Sequence, residues 1–251
     1  MAFIPAPVED PRAACPVPVR RPCMIHEWNE LTFLHWRYEP DVVARLLPPG
    51  LEVETFDGSA WVGLVPFQML VRPPGLPPLP WVSHFPETNV RTYARAADGS
   101  VGVWFLSLDA ARLHAVLGGR IGYRLPYFWS QMSIVSAGDV RAYRCERRWP
   151  EPTPARSEVV VRVGDPFAPD ELGDLDHWLT ARWLLYSRFP GRLWFARADH
   201  CVWPLQHAEV LHLDDGLVEA AGLPAPEGPP LVPHSPGVEV RIGLPWRLPR
   251  L

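Results

Sequence analysis

The densest set of groups that could do chemistry lies in nine residues of the first half of the chain, Phe85 to Tyr93, which read F-P-E-T-N-V-R-T-Y. In an extended strand the period of two sends Glu87, Asn89, Arg91 and Tyr93 to one face and Thr88, Val90 and Thr92 to the other. One face then carries a carboxyl, an amide, a guanidinium and a phenol. Facing solvent, this is an ordinary polar outer strand. Facing a barrel interior, it is a partly desolvated pocket, where such groups are kept only when paired or used.

The following hairpin decides which neighbours join the row. Asp98-Gly99, between two strand-like runs, is the strongest hairpin signal in the chain. A two-residue turn pairs Arg91 with Leu106 and Tyr93 with Trp104. A three-residue loop, Ala97 to Gly99 with Gly99 left-handed, pairs Asn89 with Ser107 and Glu87 with Asp109. The second register brings two carboxyls together, so that one would be raised in pKa and act as acid while the other serves as base. The sequence leaves both registers open.

The elements that must hold this segment are mostly strands. Leu31, Phe33 and His35-Trp36 mark a strand, Pro40-Asp41 opens a short helix, and Leu51–Phe56 alternates. Ala60–Leu70 is an apolar run that Pro66 assigns to an edge or bulge. Pro73–Trp81 is a proline-rich loop. Helices are expected over Asp109–Leu117, capped by Asp109, and over Leu175–Ser187, where Leu175, Trp178, Leu179, Arg182 and Trp183 share a face. Gly118-Gly119 ends the first of these. Further strands fit residues 131–137, 140–147, 157–163, 192–197 and 201–213. At least eight strands against two or three helices, with no βαβ rhythm, point to a mainly β (α+β) fold, an antiparallel barrel or sandwich carrying helices outside. Residues 1–23, rich in Pro, Ala and Arg, read as an N-terminal arm, and 24–251 as a single domain.

Composition narrows the function. With 32 prolines in 251 residues, long helices are disfavoured. A net charge of −4 offers no field for a phosphate backbone, so nucleic acid is not expected as a partner. No apolar stretch has the length of a membrane span or signal segment, and four cysteines without a C-x-x-C pair fit a reduced, cytoplasmic setting. G-x-S-x-G, Walker, H-E-x-x-H and G-x-G-x-x-G signatures are missing, and His200, Cys201, His207 and His212 make a poor ligand set, so neither cofactor nor metal is expected. All 24 basic residues are arginine. Without a lysine, no side chain can form a Schiff base.

The series FLHW (33–36), LLPPGL (46–51), DGSAWVGLVPFQM (57–69), FPETNVRTY (85–93), GVWFLSLDAAR (102–112) and GGRIGYRLPY (118–127) resembles the YqjF-like family of bacterial proteins, within the acetoacetate-decarboxylase-like superfamily. The match spreads over residues 28 to about 240. The resemblance implies a closed, largely antiparallel β-barrel with an internal cavity and helices packed around it. It also implies that Glu87, matching the superfamily's strand glutamate, faces inward. Acetoacetate decarboxylase forms its imine through a lysine in a G-R-E-x-x-x-x-P-K-K pattern. Here Gly119-Arg120 and Pro126 fit, but Tyr127 and Phe128 stand where the lysines would be, which excludes imine-dependent decarboxylation.

The function expected is therefore a barrel-interior pocket that binds, and in one version transforms, a small anionic or oxygen-rich molecule. Glu87 would act as acid or base, Tyr127 as hydrogen-bond donor, Arg91 as anion clamp and Asn89 as orienter. Tyr93, Trp104 and Phe128 would line the walls, with Ser107 and Asp109 joining in one register and Arg120 near the helix end. The alternatives are a non-catalytic sensor with the same residues, or an interaction domain using the proline-rich loop and aromatic helix. Self-association stays open.

Overall fold

The computed structural model describes residues 14–150, 155–168, 170–189 and 191–248. Residues 1–13 of the expected arm lie outside the described residues. The first half of the chain forms β1 (Met24–Thr32), β2 (Leu34–Tyr38), α1 (Pro40–Ala44), β3 (Leu51–Val53), β4 (Ala60–Arg72), β5 (His84–Ala96) and β6 (Val101–Ala110). Then come α2 (Leu113–Gly118), a π-turn (Gly119–Tyr123), β7 (Tyr127–Ala137), β8 (Val140–Trp149) and β9 (Arg156–Pro166). The remainder forms α3 (Asp174–Thr180), β10 (Leu184–Phe189), β11 (Arg192–His200), β12 (Gln206–Asp215), α4 (Leu217–Ala220), β13 (Pro233–Ile242) and β14 (Trp246–Arg247).

The pairings close two rings that share a wall. β13, β1, β4, β5 and β6 are hydrogen-bonded in that order; β10 and β11 link β6 back to β13, and so do β7, β8, β9 and β12 on another path. β6 is the branch point: Val103 and Trp104 pair in parallel with β10, while Leu108–Ala110 pair in parallel with β7. A strand of the shared wall has no solvent face, and this explains the unbroken burial of Glu87–Ala94 in β5 and of Ala60–Phe67 in β4. The smaller ring packs Leu31, Phe33, Val65, Phe67, Phe85 and Val240. The larger packs Leu34, Val62, Leu64, Val90, Tyr143 and Val161.

Four local readings change. Pro66 lies in the shared wall, at neither edge nor bulge: β2 pairs with β4 up to Leu64 and β1 from Gln68 onward, so the missing amide of Pro66 falls in the gap between two partners. Asp109 caps no helix, because pairing with β5 carries β6 through Ala110 and α2 starts only at Leu113. The helix expected over 175–187 stops at Thr180; Leu184–Phe189 pairs with β11, and this tertiary pairing overrides the helical spacing. Residues 201–205 are irregular and the strand starts at Gln206.

Candidate functional site

The hairpin that positions the row combines one expected feature with one unexpected one. Ala96 and Ser100 close a three-residue loop, with the Ala96 N–H donating to the Ser100 carbonyl (2.9 Å) and Gly99 at φ +83°. The pairing Tyr93 to Val103 and Arg91 to Phe105 follows from that loop, but a bulge between Val90 and Arg91 then shifts the register by one. Ser107 therefore opposes Val90, Asp109 opposes Thr88, and Glu87 opposes Ala110. Cross-strand partners share a face, so Ser107 and Asp109 belong to the larger ring and Glu87 to the smaller. The direct Glu87–Asp109 pair does not form.

Glu87, Asn89, Arg91 and Tyr93 do share one buried face. Parallel pairing puts Tyr127 beside Leu108 on that same side, and its phenol donates to Glu87 Oε2 at 3.1 Å. Gly119 makes room for this contact, since a Cβ there would lie 2.4 Å from the Tyr127 ring. Among the described residues the Glu87 carboxyl has no other hydrogen-bond or ion-pair partner. Burial pushes its pKa up to about 8; the Asp109 charge through the sheet adds to the rise, and the Tyr127 hydrogen bond opposes it. At neutral pH Glu87 is mainly a carboxylic acid with a proton to give. Burial, then the Glu87 charge, hold Tyr127 well above the ordinary phenol value, so it stays a donor.

Arg91 is buried to 8% exposure and has no carboxylate partner among the described residues. Its guanidinium lies 5.3 Å from the Phe33 ring centre and 5.9 Å from that of Tyr93. Arg91 Nε and Asn89 Oδ1 are buried without partners. A buried cation and amide left open in this way are poised for an incoming acceptor and donor.

Tyr93 is wall rather than donor. Its hydroxyl donates to the Leu179 carbonyl (2.8 Å) and contacts His35 Nε2 at 2.6 Å. With the phenol proton on Leu179, His35 must donate from Nε2, which leaves Nδ1 as a buried acceptor without a partner. Burial, then the Arg91 charge, keep His35 well below its ordinary pKa and neutral. His35 lies flat over Gly63, where a Cβ would come within 2.8 Å of Nε2. In the sequence His35 stands out only as part of a strand-like run. The available signal was Gly63: register puts it between His35 and Arg91 across three strands.

The other expected wall residues face elsewhere. Trp104 opposes Thr92, and Phe128 pairs beside Asp109, so both lie on the other face of the sheet. Arg120 sits over the Phe128 and Trp149 rings (5.9 and 5.2 Å) and lines an outer cleft with Trp104. A second cleft, of about 520 Å³, has Trp203 in its wall. Trp203 packs edge-on against Phe33 at 5.1 Å, so this cleft is one aromatic layer from Arg91.

The sequence pattern of the DUF2071 family, described as an uncharacterized conserved protein, matches residues 26–239. The chain belongs to that family. The DUF2071 chain is 34% identical over 214 residues to the uncharacterized protein YqjF of Bacillus subtilis, covering 84% of this chain and 87% of that one. Its fold is acetoacetate-decarboxylase-like. An acetoacetate decarboxylase-like enzyme from Sphingomonas wittichii RW1 superposes with a TM-score of 0.64 at 15% identity, over 91% and 94% of the two chains. Acetoacetate decarboxylase from Legionella pneumophila gives 0.64 at 12%, over 98% of each. The enduracididine biosynthesis enzyme MppR, complexed with pyruvate, gives 0.59 at 17%, over 91% of each. Among the described residues of this DUF2071 protein no helix is long and apolar enough to cross a membrane.

Proposed function

We propose that the Glu87–Asn89–Arg91 row binds a small organic anion and that Glu87 exchanges a proton with it. The observation that carries this reading is the pairing pattern: Glu87 and Arg91 are both buried on one face, yet among the described residues neither is the other's counter-ion and neither has another. Four residues of strand separate them by about 13 Å along the backbone, enough for a molecule to lie over Asn89 between them. Its carboxylate would meet Arg91, and a carbonyl or hydroxyl would meet Glu87. The uncharged Glu87 gives its proton to that oxygen or, in the ligand's enol form, to the carbon at the far end of the C=C bond as the carbonyl re-forms, and the Tyr127 hydroxyl then steadies the carboxylate left behind. No imine takes part, since the chain holds no lysine. Pyruvate bound to MppR makes short oxo acids the first ligands to try.

The test is a thermal-shift screen against pyruvate, other oxo acids, simple carboxylates and lactones, with Glu87→Gln and Arg91→Met alongside. A ligand present at a hundred times its Kd adds about 2.7 kcal/mol, a rise of roughly 5–10 °C for a chain of this size. Shifts should vanish in Arg91→Met and persist in part in Glu87→Gln. Solvent deuterium entering the carbon next to the ketone of a bound oxo acid (the methyl group of pyruvate), and failing to enter in Glu87→Gln, would establish the proton transfer. No shift with any member of the panel would sink the reading.

A further inference from the structure

The structure has a second concentration of unpaired positive charge, outside the Glu87 row. Between the α1–β3 connection, the π-turn and β10, a cleft of about 780 Å³ opens to solvent. That is within the size range of small-molecule sites. Arg45, Arg120, Arg124 and Arg188 line it, and among the described residues no acidic side chain does. Nine arginines elsewhere are ion-paired. Among the described residues none of these four has a carboxylate partner or a side-chain hydrogen bond.

Two of the four are instead held by aromatic rings. Arg124 stacks 3.9 Å from the Phe189 ring centre, and Arg120 lies 5.2 Å from that of Trp149. Stacking fixes the plane of a guanidinium while leaving its N–H edge unused, which pre-arranges a fork for oxyanions. The backbone adds a second sign of a built site. Arg124 closes the π-turn in the left-handed region at φ +57°, a conformation a non-glycine residue keeps only when its surroundings impose it. Both π-turns and such residues gather at functional positions. Trp104 supplies flat apolar wall in the same cleft.

We infer that this cleft is a second ligand site, for a small polyanion that carries a flat ring, the chemistry of a nucleotide. The charged part would lie among Arg120, Arg124 and Arg188, and the ring against Trp104. The site is separate from the Glu87 row, whose residues do not line it. Its test is calorimetric titration of the full chain with magnesium-free ATP and, separately, with inorganic triphosphate. The parent should bind ATP saturably, and more tightly than triphosphate. Affinity should fall by about tenfold or more in the double variant R124A/R188A, as expected for losing two charge-assisted contacts, and should stay unchanged in E87Q. Arg124 and Arg188 are exposed, so an unchanged melting point of the double variant checks that the fold persists. Absence of ATP binding, equal affinity in R124A/R188A, or triphosphate binding as tightly as ATP would overturn the inference. Each of these outcomes is independent of the oxo-acid screen.

Discussion

The two faces of the shared wall bury charge in opposite ways. On the larger ring's side Asp109 is fully buried and answered on every quarter: Arg147 donates from Nε and Nη2 to its two oxygens (2.9 and 2.7 Å), and Ser130 adds a third bond at 2.7 Å. The Phe128 ring covers the Arg147 guanidinium at 3.6 Å. On the smaller ring's side, among the described residues, Glu87 has one neutral donor, and Arg91 has aromatic faces and no carboxylate. A satisfied buried pair ties β6, β7 and β8 together and is complete without a ligand. An unsatisfied set is tolerated only if Glu87 gives up its charge and something polar meets Arg91. That contrast separates scaffold from site more sharply than burial does, because both sets are equally buried.

The largest effect expected from it is in pH dependence. Folded, Glu87 holds its proton up to about pH 8; unfolded, only to its ordinary 4.5. Between those values the native state carries the extra proton, so stability falls as pH rises, by on the order of 4–5 kcal/mol across the window. The contribution is complete below pH 4.5 and lost as pH passes 8. Glu87→Gln cannot titrate, so its urea unfolding free energy should lack this slope and exceed the parent's at pH 8.5. A parent curve as flat as the variant's would show that Glu87 is charged in the fold.

Breaking the satisfied pair should come next in size. Arg147→Met or Asp109→Ala leaves one buried charge alone and should cost about 3–5 kcal/mol by urea unfolding at pH 7. Replacing both together should cost less than the sum of the single changes. A single variant within 1 kcal/mol of the parent, on the scale of an exposed pair, would erase the distinction between the two faces.

How far this site could be read from the sequence follows from which interactions are local. Period two places Glu87, Asn89, Arg91 and Tyr93 together because it holds in any strand, and Asp98-Gly99 specifies its own loop through the left-handed glycine. The shift that carries Ser107 and Asp109 to the other face comes from a bulge between Val90 and Arg91, and F-L-S-L-D contains no residue type that marks one. Phe128, beside Asp109, misses the row for the same reason, whereas Trp104 misses it because the three-residue loop already sets it opposite Thr92. The two rings sharing a wall depend on β6 pairing with β10 and β7, contacts between segments distant in sequence, for which a single chain offers no periodic signal. Pattern alone leaves barrel and sandwich open; the family resemblance narrows them to a closed barrel.

Smaller in energy, and aimed at the contact that tunes Glu87, is Gly119→Ala. The added Cβ would lie 2.4 Å from the Tyr127 ring, so ring or π-turn must move, at about 1–3 kcal/mol as for other overpacked sites. Displacing Tyr127 removes the hydrogen bond that holds the Glu87 pKa down. The pH window of falling stability should therefore extend above 8. The same widening without the packing cost is expected of Tyr127→Phe. If both variants keep the parent's midpoint, Tyr127 does not govern Glu87.

The smallest expected effect decides most. Arg91→Met removes a buried cation that has no carboxylate to abandon among the described residues, and puts an apolar chain of similar length against Phe33 and Tyr93. The lost stacking on Phe33 and Tyr93 is offset by the relief of burying a charge, so unfolding free energy without ligand should stay within about 1 kcal/mol of the parent. Arg147→Met is the same chemical change on the opposite face, with an expected loss several times larger. If Arg91→Met proved as damaging as Arg147→Met, Arg91 would have to be paired within the protein, and the charge reserved for a ligand would not exist. Near-neutral stability together with loss of oxo-acid binding is the result that assigns its charge to function.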